Sequence, residues 1–246
     1  MVFRQLTIDS DDPAGVADGR RATQLSGIGR GAASARLWQD GAMYIAAVDA
    51  TLGESEWRPF VESQGFGHLI ASGRNRDVPV VVPTQFILDS DTILLHLAAP
   101  NPIFAAIAEQ PRVLLSVAGD WAFIPSEWKA IGSEDPLAGI PTTYYAAAQL
   151  MGSATVDTDS AAIAAVLRKQ LAVIQPGVPI ADPELAHAAK LRSIRAITIA
   201  VEEVRAKFKY GGNVDSEHRQ DVISRLVARA GQNDLAAAAH TARRDS

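Results

Sequence analysis

The sequence predicts an α+β fold, a mostly antiparallel β-barrel with peripheral helices. Three observations predict it. Apolar residues alternate at every second position in several short segments, polar turns separate those segments, and runs with a three- and four-residue apolar period stand between and after them.

Residues 1–40 are irregular and read as an N-terminal extension. Their glycine-rich stretch GIGRGAAS nearly spells a dinucleotide fingerprint through Gly27, Gly29 and Ala32, but that fingerprint needs a buried strand before it, and GRRATQL is not one. The barrel domain is assigned to residues 41–230. SEWRPFVESQ brings Trp57, Phe60 and Val61 onto one helical face. GFGHLIAS reads as a strand whose apolar face carries Phe66, His68 and Ile70. PVVVPTQFIL (79–88) and TILLHLA (92–98) follow, after the turn GRNRD and around the turn Asp89-Ser90-Asp91, so that the three segments form a meander. Asn101 can cap and Pro102 is tolerated at the first position of a helix over IFAAIAEQ. RVLLSVAG and WAFIPSEW read as a strand pair around Gly119-Asp120, and KAIGSEDPLAGIP as a long polar loop of the kind often kept for function. TTYYAAAQLMGSATV is one long strand. SAAIAAVLRKQL sets Ile163, Val166, Leu167 and Leu171 on one helical face, capped by Asp159 or Ser160 and stopped by Pro176-Gly177. IRAITIAVEEVRAKFKY alternates and reads as two strand segments. An amphipathic helix carries Val222, Ile223, Leu226 and Val227, and residues 231–246 form an alanine-rich helical tail.

A length of 246 residues suits one domain with appendages. No run approaches the roughly 18 apolar residues that span a bilayer, and the N-terminus lacks a basic segment followed by an apolar one, so a cytoplasmic location is expected. The absence of cysteine removes disulfides, thiolate nucleophiles and iron–sulfur clusters. A net charge of −5 with scattered basic residues argues against nucleic acid as the partner.

HLAAPNP, AFIPSEW, IPTTYY and AKFKYGGN followed by EHRQDVISRL, in this order and spacing, resemble the PaiB-like branch of the FMN-binding split-barrel superfamily over about residues 57–230. The PaiB-like pattern has an arginine where this chain has Ala99, a serine–histidine pair at Val81-Val82 and a Trp-Asn pair at Thr143-Tyr144. Those groups suit a flavin phosphate, a dianion that needs cations and hydrogen-bond donors. A closer resemblance lies in GFGHLIASG, VVVPTQF, LLSVAGDWAFIPSEWKAIG, GIPTTYYAAAQLMG and RAKFKYGGNVD, which look like the haem-dependent piperazate synthases of nonribosomal peptide pathways. That resemblance implies a homodimeric split barrel holding haem b. It implies conversion of the small-molecule amino acid L-N5-hydroxyornithine to L-piperazic acid, with formation of an N–N bond and loss of water.

Without cysteine, histidine is the usual axial iron ligand. Of the five histidines, His187, His218 and His240 lie in helical stretches and read as solvated. His68 lies on an apolar strand face beside Gly65 and Gly67, where composition admits a hydrogen-bonded core histidine and the resemblance implies the metal ligand. His96, alternating with Leu94 and Ala98, is a further cofactor candidate or a buried structural histidine. Lys207 and Lys209 leave one face of their strand; this is a solvated edge or, as the resemblance implies, a site with Lys207 partly desolvated as the base and Lys209 against the cofactor. Thr142, Thr143, Tyr144 and Tyr145 follow the long loop, and Thr142 and Tyr144 are the hydroxyl candidates of the site. Trp121 and Trp128 read as core or dimer contacts. Arg112, Arg195 and Arg205 are alternatives for holding a substrate carboxylate. An FMN-binding oxidoreductase and a PaiB-like transcriptional regulator are the competing functions; no basic recognition helix supports the regulator.

Overall fold

The computed structural model describes residues 43–130 and 134–245, and the glycine-rich stretch of the extension lies outside them. Seven strands, β1 (Phe66–Ala71), β2 (Val80–Gln85), β3 (Ile87–Asp89), β4 (Thr92–Ala98), β5 (Arg112–Ile124), β6 (Thr142–Asp157) and β7 (Ile194–Lys209), form one sheet in the order β2-β1-β5-β6-β7-β4-β3. Every neighbouring pair is antiparallel. The edge strands β2 and β3 are therefore at opposite ends of the sheet order, yet only Phe86 separates them in the chain. One extended residue reaches roughly 3.5 Å. The sheet must therefore curl until its edges meet, and a barrel results.

Phe86 is 1% exposed, lies in the core beside Leu69, Leu95, Leu115, Leu150 and Phe208, and its N–H donates to Gly65 O at 3.0 Å. Among the described residues six α-helices surround the barrel: α1 (Glu54–Gln64), α2 (Ile103–Glu109), α3 (Ser160–Ile174), α4 (Pro183–Leu191), α5 (Ser216–Arg229) and α6 (Asp234–Ala242). Phe60 and Val61 of α1, Ile103 and Ile107 of α2, Val222 and Leu226 of α5, and Ala237 and Ala238 of α6 enter the main core. Ile163 and Val166 of α3 form a second cluster with Leu94, Leu191 and Ala196 on the outside of β4 and β7. Asp159 caps α3 by accepting from the N–H groups of Ala161 and Ala162. None of the described helices is long and apolar enough to cross a membrane.

Four local expectations change. RVLLSVAG and WAFIPSEW are not a hairpin but one strand, β5; Gly119 and Asp120 lie at a bulge, where Asp120 takes the left-handed conformation (φ 51°). The two segments expected within 194–210 are likewise the single strand β7, which runs the length of β6. The meander is broken: PVVVPTQFIL divides at Phe86, and β4 pairs with β3 and β7 instead of β2. In GFGHLIAS the faces are reversed. Gly67, Leu69 and Ala71 point into the barrel, whereas Phe66 and His68 are exposed. Its glycines serve the fold. Gly65 ends α1 in the left-handed conformation, and a Cβ on Gly67 would stand 2.8 Å from Ser116 O.

Phe86→Ala should lower the free energy of unfolding by about 3–5 kcal/mol, the range for deleting a buried aromatic ring. Equilibrium denaturation in urea measures this.

Candidate functional site

Opposed residues in an antiparallel pair project to the same side of the sheet. The register therefore lays out the outer surface in rows. One row is Pro83, His68, Ser116, Gln149 and Arg205; the next is Val81, Ile70, Leu114, Met151 and Glu203; on the other side lie Ala118, Ala147 and Lys207. His68 and Lys207 thus share one outer face, three strand spacings across and two residues along, roughly 16 Å apart. The nearest positions to His68 on that face are Pro83, Ile70, Leu114 and Ser116. His68 is exposed and makes no hydrogen bond or ion pair among the described residues.

Lys207 is enclosed instead. It is 8% exposed, its Nζ donates to Tyr44 O at 3.2 Å, and Asp49 Oδ2 lies 3.9 Å away. The ammonium sits over the rings of Tyr44 and Tyr145, 5.6 and 5.7 Å from their centroids. Asp49 is brought there by a bridge between Ala50 and Lys207, and Arg244 fastens that segment by donating to Ala50 O at 3.0 Å and pairing with buried Glu56. Burial raises the Asp49 pKa, against the opposing pull of Lys207, Lys209 and Arg244.

At the ends of β6 and β7, Lys129, Ile140, Thr142, Tyr144, Lys209, Gly211 and Asn213 line a cavity of about 260 Å³. Lys209 Nζ donates to Thr142 Oγ1 at 2.7 Å. Burial, and then the charge of Lys209, lowers the Lys129 pKa. Tyr144 is 1% exposed; its hydroxyl is buried without a partner among the described residues, and burial pushes its pKa up to about 12. Gly211 (φ 76°) lies directly against that hydroxyl, where any side chain would collide with it. A buried hydroxyl without a partner costs about 1–3 kcal/mol.

His96 lies elsewhere. It is half-buried on β4, its Nδ1 is 2.7 Å from Oε1 of buried Gln170 on α3, and it lines an apolar pocket of about 540 Å³ with Leu167, Leu171, Ile180 and His187. The structure does not bring it beside His68. The three arginines are engaged: Arg112 with Glu202 at 2.5 Å and Glu203 at 3.5 Å, Arg205 with Glu203 at 2.6 Å, and Arg195 with the backbone oxygens of Arg192 and Ile194. Trp128 is buried under the Arg229 guanidinium, and Trp121 is exposed. His187 is exposed and His218 half-buried with Nε2 unpartnered among the described residues.

His240, expected in solvent, is buried. It stacks on Tyr210 at 4.8 Å, and its Nε2 lies 3.0 Å from Asp120 Oδ2, a contact that spans the β5 bulge and α6. Tyr210 donates to Asp120 O at 2.9 Å, and Gln64 donates to Asp120 Oδ1 at 3.2 Å. The hydrogen bond from His240 holds the Asp120 pKa below the ordinary carboxylate value. The alanine run around His240 was the available sign of burial, since small residues allow close helix packing.

Residues 43–203 match the family described as "Putative FMN-binding domain". In structure the chain is similar to the flavocytochrome Anf3 from Azotobacter vinelandii, with a TM-score of 0.52 and 19% identity over 70% of this chain and 74% of that one. It is also similar to the FAD and haem binding protein from Mycobacterium smegmatis, with a TM-score of 0.53 and 16% identity over 72% and 80%. A conserved hypothetical protein from Mycobacterium tuberculosis gives a TM-score of 0.51 and 14% identity over 70% and 94%. Comparison with curated proteins finds no match. The fold is the α+β split barrel that the sequence predicted.

Two outcomes are expected. Tyr144→Phe should raise the free energy of unfolding by about 1–3 kcal/mol, read by chemical denaturation, because the uncompensated hydroxyl is removed. Asp120 stabilises the fold above its unfolded pKa of about 4, and this contribution is lost as pH falls through its lower folded pKa. Thermal melts from pH 7 down to pH 2 should therefore show a smaller acid-side loss in Asp120→Asn than in the parent protein.

Proposed function

The chain belongs to this FMN-binding-domain family of split barrels, and from that premise we propose that it is a haem-dependent piperazate synthase. It would convert L-N5-hydroxyornithine to L-piperazic acid and water. The observation that carries the proposal is the unpartnered His68 on an apolar sheet face that it shares with the buried Lys207–Asp49 pair. The donor set suits haem b: an exposed imidazole with no hydrogen-bond partner among the described residues, beside Pro83, Ile70, Leu114 and Ser116 on the same sheet face. The same surface suits a flavin phosphate less well, because Val81, Val82, Ala99, Thr143 and Tyr144 furnish no cation. The flavocytochrome and the FAD- and haem-binding protein of the same fold support haem use on this scaffold. Phe66 and Val81, both about half exposed on this side, support a second copy of the chain as the cover of a homodimeric site.

When bound, haem b would supply a Lewis-acidic iron that draws electron density from the N–O bond of the substrate. The remaining work falls to the chain. The α-amine attacks the distal nitrogen within one molecule, so holding the substrate folded removes about 7–11 kcal/mol of positioning cost. Asp49, 3.9 Å away, takes the proton of the Lys207 ammonium, and the neutral Nζ so formed accepts one from the attacking amine. The N–N bond forms as the N–O bond breaks, the departing hydroxide takes up as water the proton held by Asp49, and no external oxidant or reductant enters the balance. The rings of Tyr44 and Tyr145 lie over Lys207 Nζ and keep bulk water from it.

The purified protein should show a Soret band, and His68→Ala should lose it; full haem content in that variant would overturn the ligand assignment. Flavin bands in place of the Soret band would favour the FMN oxidoreductase. Lys207→Ala should retain haem and lose at least about 100-fold in turnover of N5-hydroxyornithine, within the range of general-base removal. Near-parental turnover would overturn the base assignment.

A further inference from the structure

We infer that the cavity lined by Lys129, Thr142, Tyr144, Lys209 and Asn213 is the carboxylate-recognition subsite for an α-amino acid. This rests on the synthase reading for the identity of the amino acid, but the subsite is argued from its own chemistry. Three observations carry it. Neither lysine makes an ion pair among the described residues, whereas Arg112, Arg195 and Arg205 are all engaged by carboxylates or backbone oxygens. Tyr144, a side chain 1% exposed, lines the same cavity, and its buried hydroxyl has no hydrogen-bond partner among the described residues. A fold leaves such a group unpaired at a cost, and a bound carboxylate oxygen would satisfy it. Thr142 and Asn213 add a hydroxyl and an amide, so the cavity offers two cations and three neutral polar groups to a planar anion.

Size and position narrow the ligand. The volume of about 260 Å³ falls below the roughly 300–1,000 Å³ of sites for drug-sized ligands, and it suits an amino-acid head group. Lys207 leaves the same strand face two residues before Lys209, roughly 7 Å along β7, and Asp49 lies beside it. A carboxylate held by Lys129 and Lys209 would thus leave the α-ammonium of the same molecule on the side of Asp49 and Lys207. Asp49 is the anion at the ammonium end, and Lys129 and Lys209 are the cations at the carboxylate end. Among the described residues, Asp49 is the carboxylate that acts on Tyr144, and Arg219 is the cation that offsets it.

Calorimetric titration of the haem-loaded protein with L-ornithine, which lacks the N–O bond, tests this. Lys129→Gln and Lys209→Gln should each weaken L-ornithine binding about tenfold or more, the loss of one charge-assisted hydrogen bond. Tyr144→Phe, which should fold at least as stably, should weaken it several-fold. Binding of 1,4-diaminobutane, the same skeleton without the carboxylate, should not change, and haem content should stay at the parental level. Parental L-ornithine affinity in the lysine variants would overturn the inference, as would failure of the parent protein to bind L-ornithine. Loss of haem in both lysine variants would overturn it by assigning these cations to the cofactor's own carboxylates. So would FMN binding that Lys209→Gln abolishes while riboflavin binding persists, which would make the cavity a phosphate site. Lysine-dependent L-ornithine binding without turnover of N5-hydroxyornithine would support the subsite and overturn the synthase reading.

Discussion

The single residue between β2 and β3 governs the architecture. Two strands at opposite edges of a seven-stranded sheet cannot be joined by Phe86 alone unless the sheet closes on itself. Closure fills the interior with the side chains of Leu69, Leu95, Leu115, Leu150 and Phe208, and a barrel so filled has no lumen for a ligand. The candidate site residues therefore lie on the outer surface and at the strand ends. His68 and Lys207 occupy the first, and the Lys129–Lys209 cavity the second.

Polar groups enter the structure where regular pairing is interrupted. At the β5 bulge, Asp120 turns out of the ladder and gathers Gln64, Tyr210 and His240, which ties α1, the segment after β7, and α6 to one point. Near the Ala50–Lys207 bridge, Glu56 and Arg244 do the same for the chain that carries Asp49. Buried ion pairs of this kind add little net stability compared with apolar packing. Their role here is positional: they set where Asp49 stands relative to Lys207.

Most elements were legible because local periodicity and capping agree with the final fold. Asp159 caps α3, α1 covers the predicted stretch, and the long strand after the polar loop is β6. What local pattern could not convey was long-range pairing. The sign of the GFGHLIAS face depended on Gly67 meeting Ser116 O, a contact nearly fifty residues away, and the Gly119-Asp120 turn signal marked a bulge because β6 runs on past it. The alanine run hinted that His240 is buried, but its partner Asp120 lies 120 residues away and no local pattern names it. Among the site candidates, period two rightly set Lys207 and Lys209 on one face, but only the fold shows that one is caged by tyrosines and the other opens on a cavity with Lys129, a residue the sequence did not single out.

The bond from Arg244 to Ala50 joins residues 194 positions apart. During synthesis, the barrel strands and most helices emerge well before the arginine that anchors the segment bearing Asp49. A nascent chain can therefore complete its sheet while Asp49 and Lys207 are still held only by their own short contacts. The placement of Asp49 relative to Lys207 is then fixed last, after the scaffold is already closed.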